Sequence, residues 1–153
     1  MALLKQGDKA PVFEAVDQDG NPVSLKDFKG KKLVLYFYPK DDTPGCTAEA
    51  CNLRDNYTLL MKKGYKIVGV SADDDRSHKK FIEKYVLPFP LIPDKEKKIL
   101  KAYGAWGRKI LYGKEYDGIL RTTYVISEDG IIEKVFSKVD TKNHTEQILG
   151  SDQ

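Results

Sequence analysis

Both cysteines of this chain fall in one short stretch, Pro39-Lys-Asp-Asp-Thr-Pro-Gly-Cys46-Thr-Ala-Glu-Ala-Cys51, directly after the apolar run Leu33-Val-Leu-Tyr-Phe-Tyr38. An apolar, β-branched and aromatic run bounded by Gly30 and Pro39 reads as a buried strand. The residues from Thr43 onward read as a helix start. Thr43 is a good N-cap residue, Pro44 suits the first helical position, and Gly45 adds no bulk beside the cysteine. Cys46 is thereby placed in a first helical turn, where unpaired backbone N–H groups and the helix dipole favour an anion. A thiol held there loses its proton more easily, and the thiolate is the nucleophilic form. The chain is organised around a strand, a turn and an activated cysteine.

On a helical wheel of about 100° per residue, Ala50, Leu53, Tyr57 and Leu60 fall within roughly 40° of Cys46, with Met61 just beyond. Cys51 lies on the flank of that stripe, at roughly 140°. Helix geometry separates the two Cα atoms by roughly 8–9 Å, whereas a disulfide needs less than about 7 Å. Cys46 and Cys51 therefore cannot pair while the segment is helical. If they pair, the first turns must unwind. The spacing is compatible with a cycle in which Cys46 is oxidised in the folded helix, the helix opens, and Cys51 condenses with the sulfenic acid. The plainer alternative is two buried cysteines on a core helix, a common place for free Cys. Zinc is a weaker reading. A tetrahedral site needs four ligands, and only His78 and His144 remain, both in polar surroundings far along the chain.

A chain of 153 residues, 41% of them hydrophobic, is expected to form one globular domain over residues 1–153. Its net charge of +3 is small and its lysines are interleaved with acids, which argues against nucleic acid as a partner. No apolar stretch is long enough to span a membrane, and Met1-Ala-Leu-Leu-Lys-Gln-Gly7 has no signal-peptide pattern, so a cytoplasmic protein is expected. In a reducing compartment, two close cysteines suggest redox chemistry rather than a permanent disulfide. No cofactor or metal is expected.

Taken in order, residues 1–11 read as an irregular arm, and Val12–Val16 and Pro22–Leu25 as a hairpin turning at Asp19-Gly20. Lys26–Gly30 reads as a short turn or helical turn before the central strand. One helix is expected from about Pro44 to Lys62, stopped by Gly64, and Tyr65–Ser71 is the next interior strand. Asp73-Asp74-Asp75 reads as the cap of a helix over about Arg76–Tyr85, with Phe81, Ile82 and Tyr85 inward, rather than as a metal loop. Phe89–Ile92 is an extended edge and Ile99–Tyr103 a short helix. Residues 105–119, rich in Gly and aromatics, read as a loop, either near a functional face or simply packed on the surface; the Tyr and Trp of residues 103–116 are candidates for a substrate entrance or a subunit contact. Thr122–Ile126 and Gly130–Phe136 form a hairpin, and a last helix covers about Asn143–Leu149. Strands alternating with helices, then an antiparallel hairpin, predict an α/β sandwich around one sheet.

The pattern Pro39-xxx-Thr43-xx-Cys46, with Glu49 three residues on, resembles the active-site signature of peroxiredoxins. The longer string through Cys51, Leu53-Arg-Asp55, Gly69-Val-Ser71, Gly104-Ala-Trp106, Tyr112-Gly113 and Arg121-Thr-Thr-Tyr124 is similar to the bacterioferritin comigratory protein (PrxQ) branch over nearly the whole chain. The resemblance implies a thioredoxin-like α/β fold, with a central mixed sheet flanked by helices and an N-terminal hairpin extension. It implies a thiol-dependent peroxidase acting on hydrogen peroxide and organic hydroperoxides, without a cofactor and recycled by thioredoxin or a similar dithiol. Cys46 would be the peroxidatic cysteine and Cys51 the resolving one, joined in an intramolecular disulfide. Thr43 would hydrogen-bond the peroxide, Pro39 would shield the thiolate, Arg121 would stabilise thiolate and developing charge, and Glu49 would orient Arg121. Without the resemblance, Arg121 would be an ordinary charge before a strand and Thr43 only a cap. Tyr124, where Phe is common in the family, is a mild departure. A monomer is expected, a dimer being the alternative.

Two other classes remain open. A general dithiol–disulfide oxidoreductase usually carries Cys-x-x-Cys, with thiols that bridge without unfolding, and the spacing here argues against it. A peroxide sensor could use the same unwinding, and only turnover with a reductant separates it from an enzyme.

Overall fold

The apolar run after Gly30 is the middle strand of a five-stranded sheet. The computed structural model describes residues 3–150. In chain order the strands are β1 (Glu14–Val16), β2 (Pro22–Ser24), β3 (Lys32–Phe37), β4 (Tyr65–Ser71), β5 (Leu91–Pro93), β6 (Trp106–Leu111), β7 (Lys114–Ile119), β8 (Thr122–Ile126) and β9 (Ile132–Phe136). The helices are α1 (Pro44–Asp55), α2 (Tyr57–Lys62), α3 (Asp75–Tyr85), α4 (Lys98–Ala102) and α5 (His144–Leu149). The sheet runs β5-β4-β3-β8-β9, with β3, β4 and β5 parallel and β8 and β9 antiparallel to their neighbours.

Alternate residues of β3 enter two different cores. Leu33, Leu35 and Phe37 pack with Val68, Val70, Tyr124 and Ile126 on one side, where Val23 of β2 and Leu100 of α4 also lie. Val34 and Tyr36 pack on the other with Cys46, Ala50 and Leu53 of α1, Leu60 of α2, Phe81 of α3 and Ile148 of α5. A strand covered on both faces needs apolar side chains at every position, which is why the run is continuous instead of alternating. Cys46, Ala50, Leu53 and Leu60 are all buried, as the helical stripe predicts, and Cys51 on its flank is half-buried.

The N-terminal arm is less irregular than its sequence suggests. The Gly7 and Ala10 N–H groups donate to the Ile132 and Gly130 carbonyls, tying the arm to β9 and its turn, while residues 1–2 lie outside the described residues. The single expected helix over 44–62 is two. Asn56 interrupts it, with its side-chain amide donating to the Asn52 carbonyl and its own backbone at φ −108°, ψ 13°. Asn competes for helix carbonyls in this way, so the break is local chemistry.

Residues 105–119 are not a loop but the β6–β7 hairpin, fully paired from Trp106–Ile119 to Leu111–Lys114. Tyr112 and Gly113 both take positive φ, 52° and 78°, the two-residue turn that suits strand twist. Its aromatics divide. Tyr103 is buried in the core with its hydroxyl on the Pro11 carbonyl, and so lines no entrance, whereas Tyr112 is almost wholly exposed. The Tyr at position 124 uses its hydroxyl twice, donating to the Tyr103 carbonyl at 2.6 Å and accepting from the Leu4 N–H at 3.2 Å.

Gly69, opposite Tyr36 in the β3–β4 ladder, has no room for a side chain: an added Cβ would lie 2.6 Å from Leu91 and 2.9 Å from the Tyr36 ring. Overpacking of this kind costs about 1–3 kcal/mol. Gly69→Ala is expected to lower unfolding free energy by that amount in urea titration, with an unchanged m-value.

Candidate active site

Cys46 sits in the first turn of α1, 1% exposed, with Thr43 as the N-cap. The cap differs from the expectation in one respect. Thr43 takes the extended N-cap backbone and its carbonyl accepts the Thr47 N–H at 2.8 Å, but its hydroxyl makes no bond into the helix. The hydroxyl donates instead to the Lys40 carbonyl at 2.8 Å. The first-turn N–H groups around Cys46 therefore have no side-chain cap, and helix geometry leaves such groups without intrahelical partners.

Arg121, one residue ahead of β8, reaches across to α1. Its Nη2 donates to Cys46 Sγ at 3.2 Å and its Nη1 to Glu49 Oε1 at 2.7 Å. Gly45 leaves room for this contact, since a Cβ there would lie 3.2 Å from Nη2 and press the guanidinium aside by a few tenths of an ångström. Cys46 and Glu49 lie three apart, about one helical turn, so a single planar fork meets both. Burial works against the guanidinium's charge, yet the facing Cys46 and Glu49 raise its pKa above the ordinary value. Glu49 is fully buried, and burial pushes its carboxyl up from 4.5 to about 7 although Arg121 opposes the shift.

The structure thus brings together Cys46, Glu49 and Arg121, with Thr43 at the helix start. Pro39 is half-buried at the head of the loop that runs to Thr43, placed by the chain rather than by a polar contact. Cys46 and Cys51 are both free thiols. Burial raises the Cys51 thiol above its ordinary value, with a smaller opposing pull from Arg54.

The loop is bolted to α3. Asp41 accepts from Tyr38 Oη at 2.6 Å, Ser77 Oγ at 2.8 Å and His78 Nδ1 at 2.7 Å, while its N–H donates to Asp73 Oδ2 at 2.8 Å. Asp42, at φ 58°, accepts from Lys84 Nζ at 2.7 Å and Tyr85 Oη at 2.8 Å. Of the acidic triplet, Asp74 is the α3 cap, accepting the Ser77 N–H at 2.8 Å, and Asp73 belongs to the loop network. Asp41, Asp73 and His78 are the one group among the described residues close enough to hold a metal, their donor atoms within 4.8 Å. Each of those atoms already has a protein partner, so the cluster reads as a fastening.

Both histidines are buried, contrary to the polar surroundings their neighbours in sequence suggest. His144 lies 3.6 Å from Glu49 Oε2 through its Nε2. Its place one turn before Ile148, in a helix with one apolar face, is the signal that its ring points inward.

The sequence pattern of the AhpC/TSA family matches residues 6–135. Peroxiredoxin Bcp of Escherichia coli is 46% identical over 149 residues, 97% of this chain and 96% of that protein. A putative peroxiredoxin bcp of Coxiella burnetii is 46% identical over 147 residues, 96% of this chain and 97% of the other. Peroxiredoxin Q of Xanthomonas campestris superposes with a TM-score of 0.85 at 34% identity, covering 91% of this chain and 88% of that one. The chain belongs to the AhpC/TSA family. Its relatives place it among the Bcp/PrxQ peroxiredoxins, thiol peroxidases with the thioredoxin-like fold, as the cysteine signature implied.

The raised Glu49 value has a stability consequence. The folded protein binds the Glu49 proton more tightly than the unfolded chain, so this stabilisation is complete below about pH 4.5 and is lost as pH rises through about 7. Glu49→Gln removes the dependence. The stability of the parent relative to Glu49→Gln is expected to fall by about 3 kcal/mol between pH 4 and pH 8 in urea titrations; a constant difference would contradict the assignment.

Proposed function

We propose that Cys46 is the peroxidatic cysteine of this thiol peroxidase and Cys51 the resolving one, with hydrogen peroxide and organic hydroperoxides as substrates. The supporting observation is the Arg121 guanidinium, donating to the Cys46 sulfur at 3.2 Å while Glu49 holds its other nitrogen. The thiolate is the nucleophilic form of a cysteine, and a charge-assisted donor stands against that sulfur. The same fork can follow negative charge onto the leaving oxygen as the O–O bond breaks, and donors fixed beforehand lower the barrier. The Thr43 hydroxyl spends its proton on the Lys40 carbonyl, so its oxygen is left to accept, which suits the O–H of a peroxide. Pro39, half-buried at the head of the same loop, is assigned the role of shielding the sulfur from water.

In the first step the thiolate attacks one peroxide oxygen, the S–O bond forms, the O–O bond breaks, and the departing oxide takes a proton. Cys51 cannot reach the resulting sulfenic acid while α1 is helical, since the Cα atoms are roughly 8–9 Å apart by helix geometry. Opening of the first turns brings the two together and also exposes Cys51, relieving the burial that holds it as a thiol. Condensation releases water and leaves the intramolecular disulfide. A thioredoxin-like dithiol then reduces it by exchange. Both cores share one sheet, which supports action as a single domain; the reading takes it to act as a monomer.

Three substitutions test this reading. Cys46→Ser is expected to abolish peroxide consumption, and near-normal turnover would sink the assignment. Arg121→Gln should slow the reaction of Cys46 with hydrogen peroxide by roughly 10²–10³-fold in stopped flow, equivalent to about 3–4 kcal/mol; a loss under twofold would remove Arg121 from the mechanism. Cys51→Ser should react once and fail to recycle with thioredoxin, whereas an unchanged steady state would show that another thiol resolves Cys46.

A further inference from the structure

Glu49 offers Arg121 only one of its oxygens. The other, Oε2, is buried 3.6 Å from His144 Nε2 and has no hydrogen-bond partner among the described residues. His144 is itself fully buried, with Nδ1 2.8 Å from Gln147 Oε1 and Nε2 2.8 Å from Thr123 Oγ1. The Gln147 amide is fixed in orientation, because its Oε1 accepts the Asp140 N–H at 2.8 Å and its Nε2 donates to the Lys138 carbonyl at 3.1 Å. An amide oxygen only accepts, so His144 carries a proton on Nδ1. In the neutral ring, Nε2 is then a lone pair. Nε2 has the Thr123 hydroxyl beside it as a donor, whereas Oε2 has none, so the facing pair can take up one added proton, on the carboxyl or on the ring. The Thr123 hydroxyl can donate to Nε2 or accept from it, so it accommodates either state.

The surrounding charges set when that proton is wanted. Around Glu49 stand Arg121 from the segment before β8, Cys46 on its own helix, His144 on α5, and the Tyr36 hydroxyl from β3, kept neutral by burial. Around His144 stand Asp140, Arg121 and Glu49. With Cys46 as thiolate and Arg121 positive, the buried site is neutral only if the Glu49–His144 pair holds the extra proton. Once the sulfur is oxidised and uncharged, it is neutral only if the pair has lost it. Uncompensated charge away from water is costly, so the two events are linked. Burial moves Glu49 up to about 7 and His144 down, so of the two the carboxyl takes the proton first.

We propose that Glu49 and His144 form a proton-holding pair that is loaded while Cys46 carries negative charge and discharged when peroxide consumes that charge. The inference rests on Cys46 being the peroxidatic cysteine. The step balances as thiolate plus ROOH plus one proton giving sulfenic acid plus ROH: the S–O bond forms, the O–O bond breaks, sulfur is oxidised and the peroxide reduced. The pair releases one proton to solution as the departing RO⁻ takes one up, so the net uptake is close to zero. Neither residue touches the substrate; both are positioning residues that act through Arg121.

The test counts protons. Reduced Cys51→Ser protein, which stops at the sulfenic acid, receives one equivalent of hydrogen peroxide at pH 7 in a lightly buffered solution with an indicator dye. Thiolate is counted by ultraviolet absorbance beforehand, and oxidation by intact mass afterwards. Proton uptake from solvent is expected to fall well below one per thiolate oxidised. In Cys51→Ser/Glu49→Gln the amide still accepts from Arg121 and faces His144 but cannot release a proton, and uptake should rise to nearly one. Equal uptake in the two proteins would overturn the proposal. Independently, the His144 ring ¹⁵N resonances of Cys51→Ser should shift on oxidation, and unmoved resonances would also overturn it, whether or not the double variant folds. A Cys51→Ser protein that gains no oxygen at all would instead refute the peroxidase assignment of Cys46.

Discussion

One guanidinium holds the reactive end of this molecule together. Arg121 lies just ahead of the interior strand β8 and grips two groups on α1, the Cys46 sulfur and the Glu49 carboxyl group. Everything nearby serves that grip. Gly45 leaves room for it, β8 sets its origin beside β3, and the one-turn spacing of Cys46 and Glu49 matches the width of the fork. A lysine could satisfy one of the two partners but not both with the same geometry.

In the proposed cycle the same helix must also give way. α1 ends early, at Asn56, and only four of its residues, Cys46, Glu49, Ala50 and Leu53, are buried. It is a short element anchored by few large side chains, and the active-site end is the end farther from its largest apolar contact, Leu53. The loop before it is treated differently. Asp41 and Asp42 are fastened to α3 through Ser77, His78, Lys84 and Tyr85, so that Thr43 is held at a fixed place even if the first turns of α1 open. A rigid loop leading into a yielding helix is what two cysteines on one helix require, if they are to be separate in one state and joined in another.

Much of this was legible in the chain. β3, β4, the N-terminal and C-terminal hairpins and the capped α3 come from local rules: continuous apolar runs, Asp-Gly turns and an aspartate at an N-cap. The cysteine helix start was legible for the same reason. Arg121 was not, because nothing near it in sequence points to Cys46; the family signature supplied it, and the fold brings the two together across 75 positions. The β6–β7 hairpin escaped because most of its side chains are exposed on both faces, leaving no apolar alternation to read. Its one local sign was Tyr112-Gly113. The buried histidines escaped because their partners, Asp41 and Glu49, lie on distant elements. The one local sign for His144 was Ile148, one turn further along the same face of α5.

The most direct measurement of whether Cys46 and Cys51 work as a pair is the intact mass and free-thiol count of the reduced protein after one equivalent of hydrogen peroxide. Fast loss of both thiols as a disulfide within one chain is expected, reversed by a thioredoxin system with continued consumption of peroxide. Two thiols that stay free, or that oxidise no faster than an ordinary cysteine, would contradict it: Arg121 would then brace a core helix, and Cys46 would be one more buried side chain.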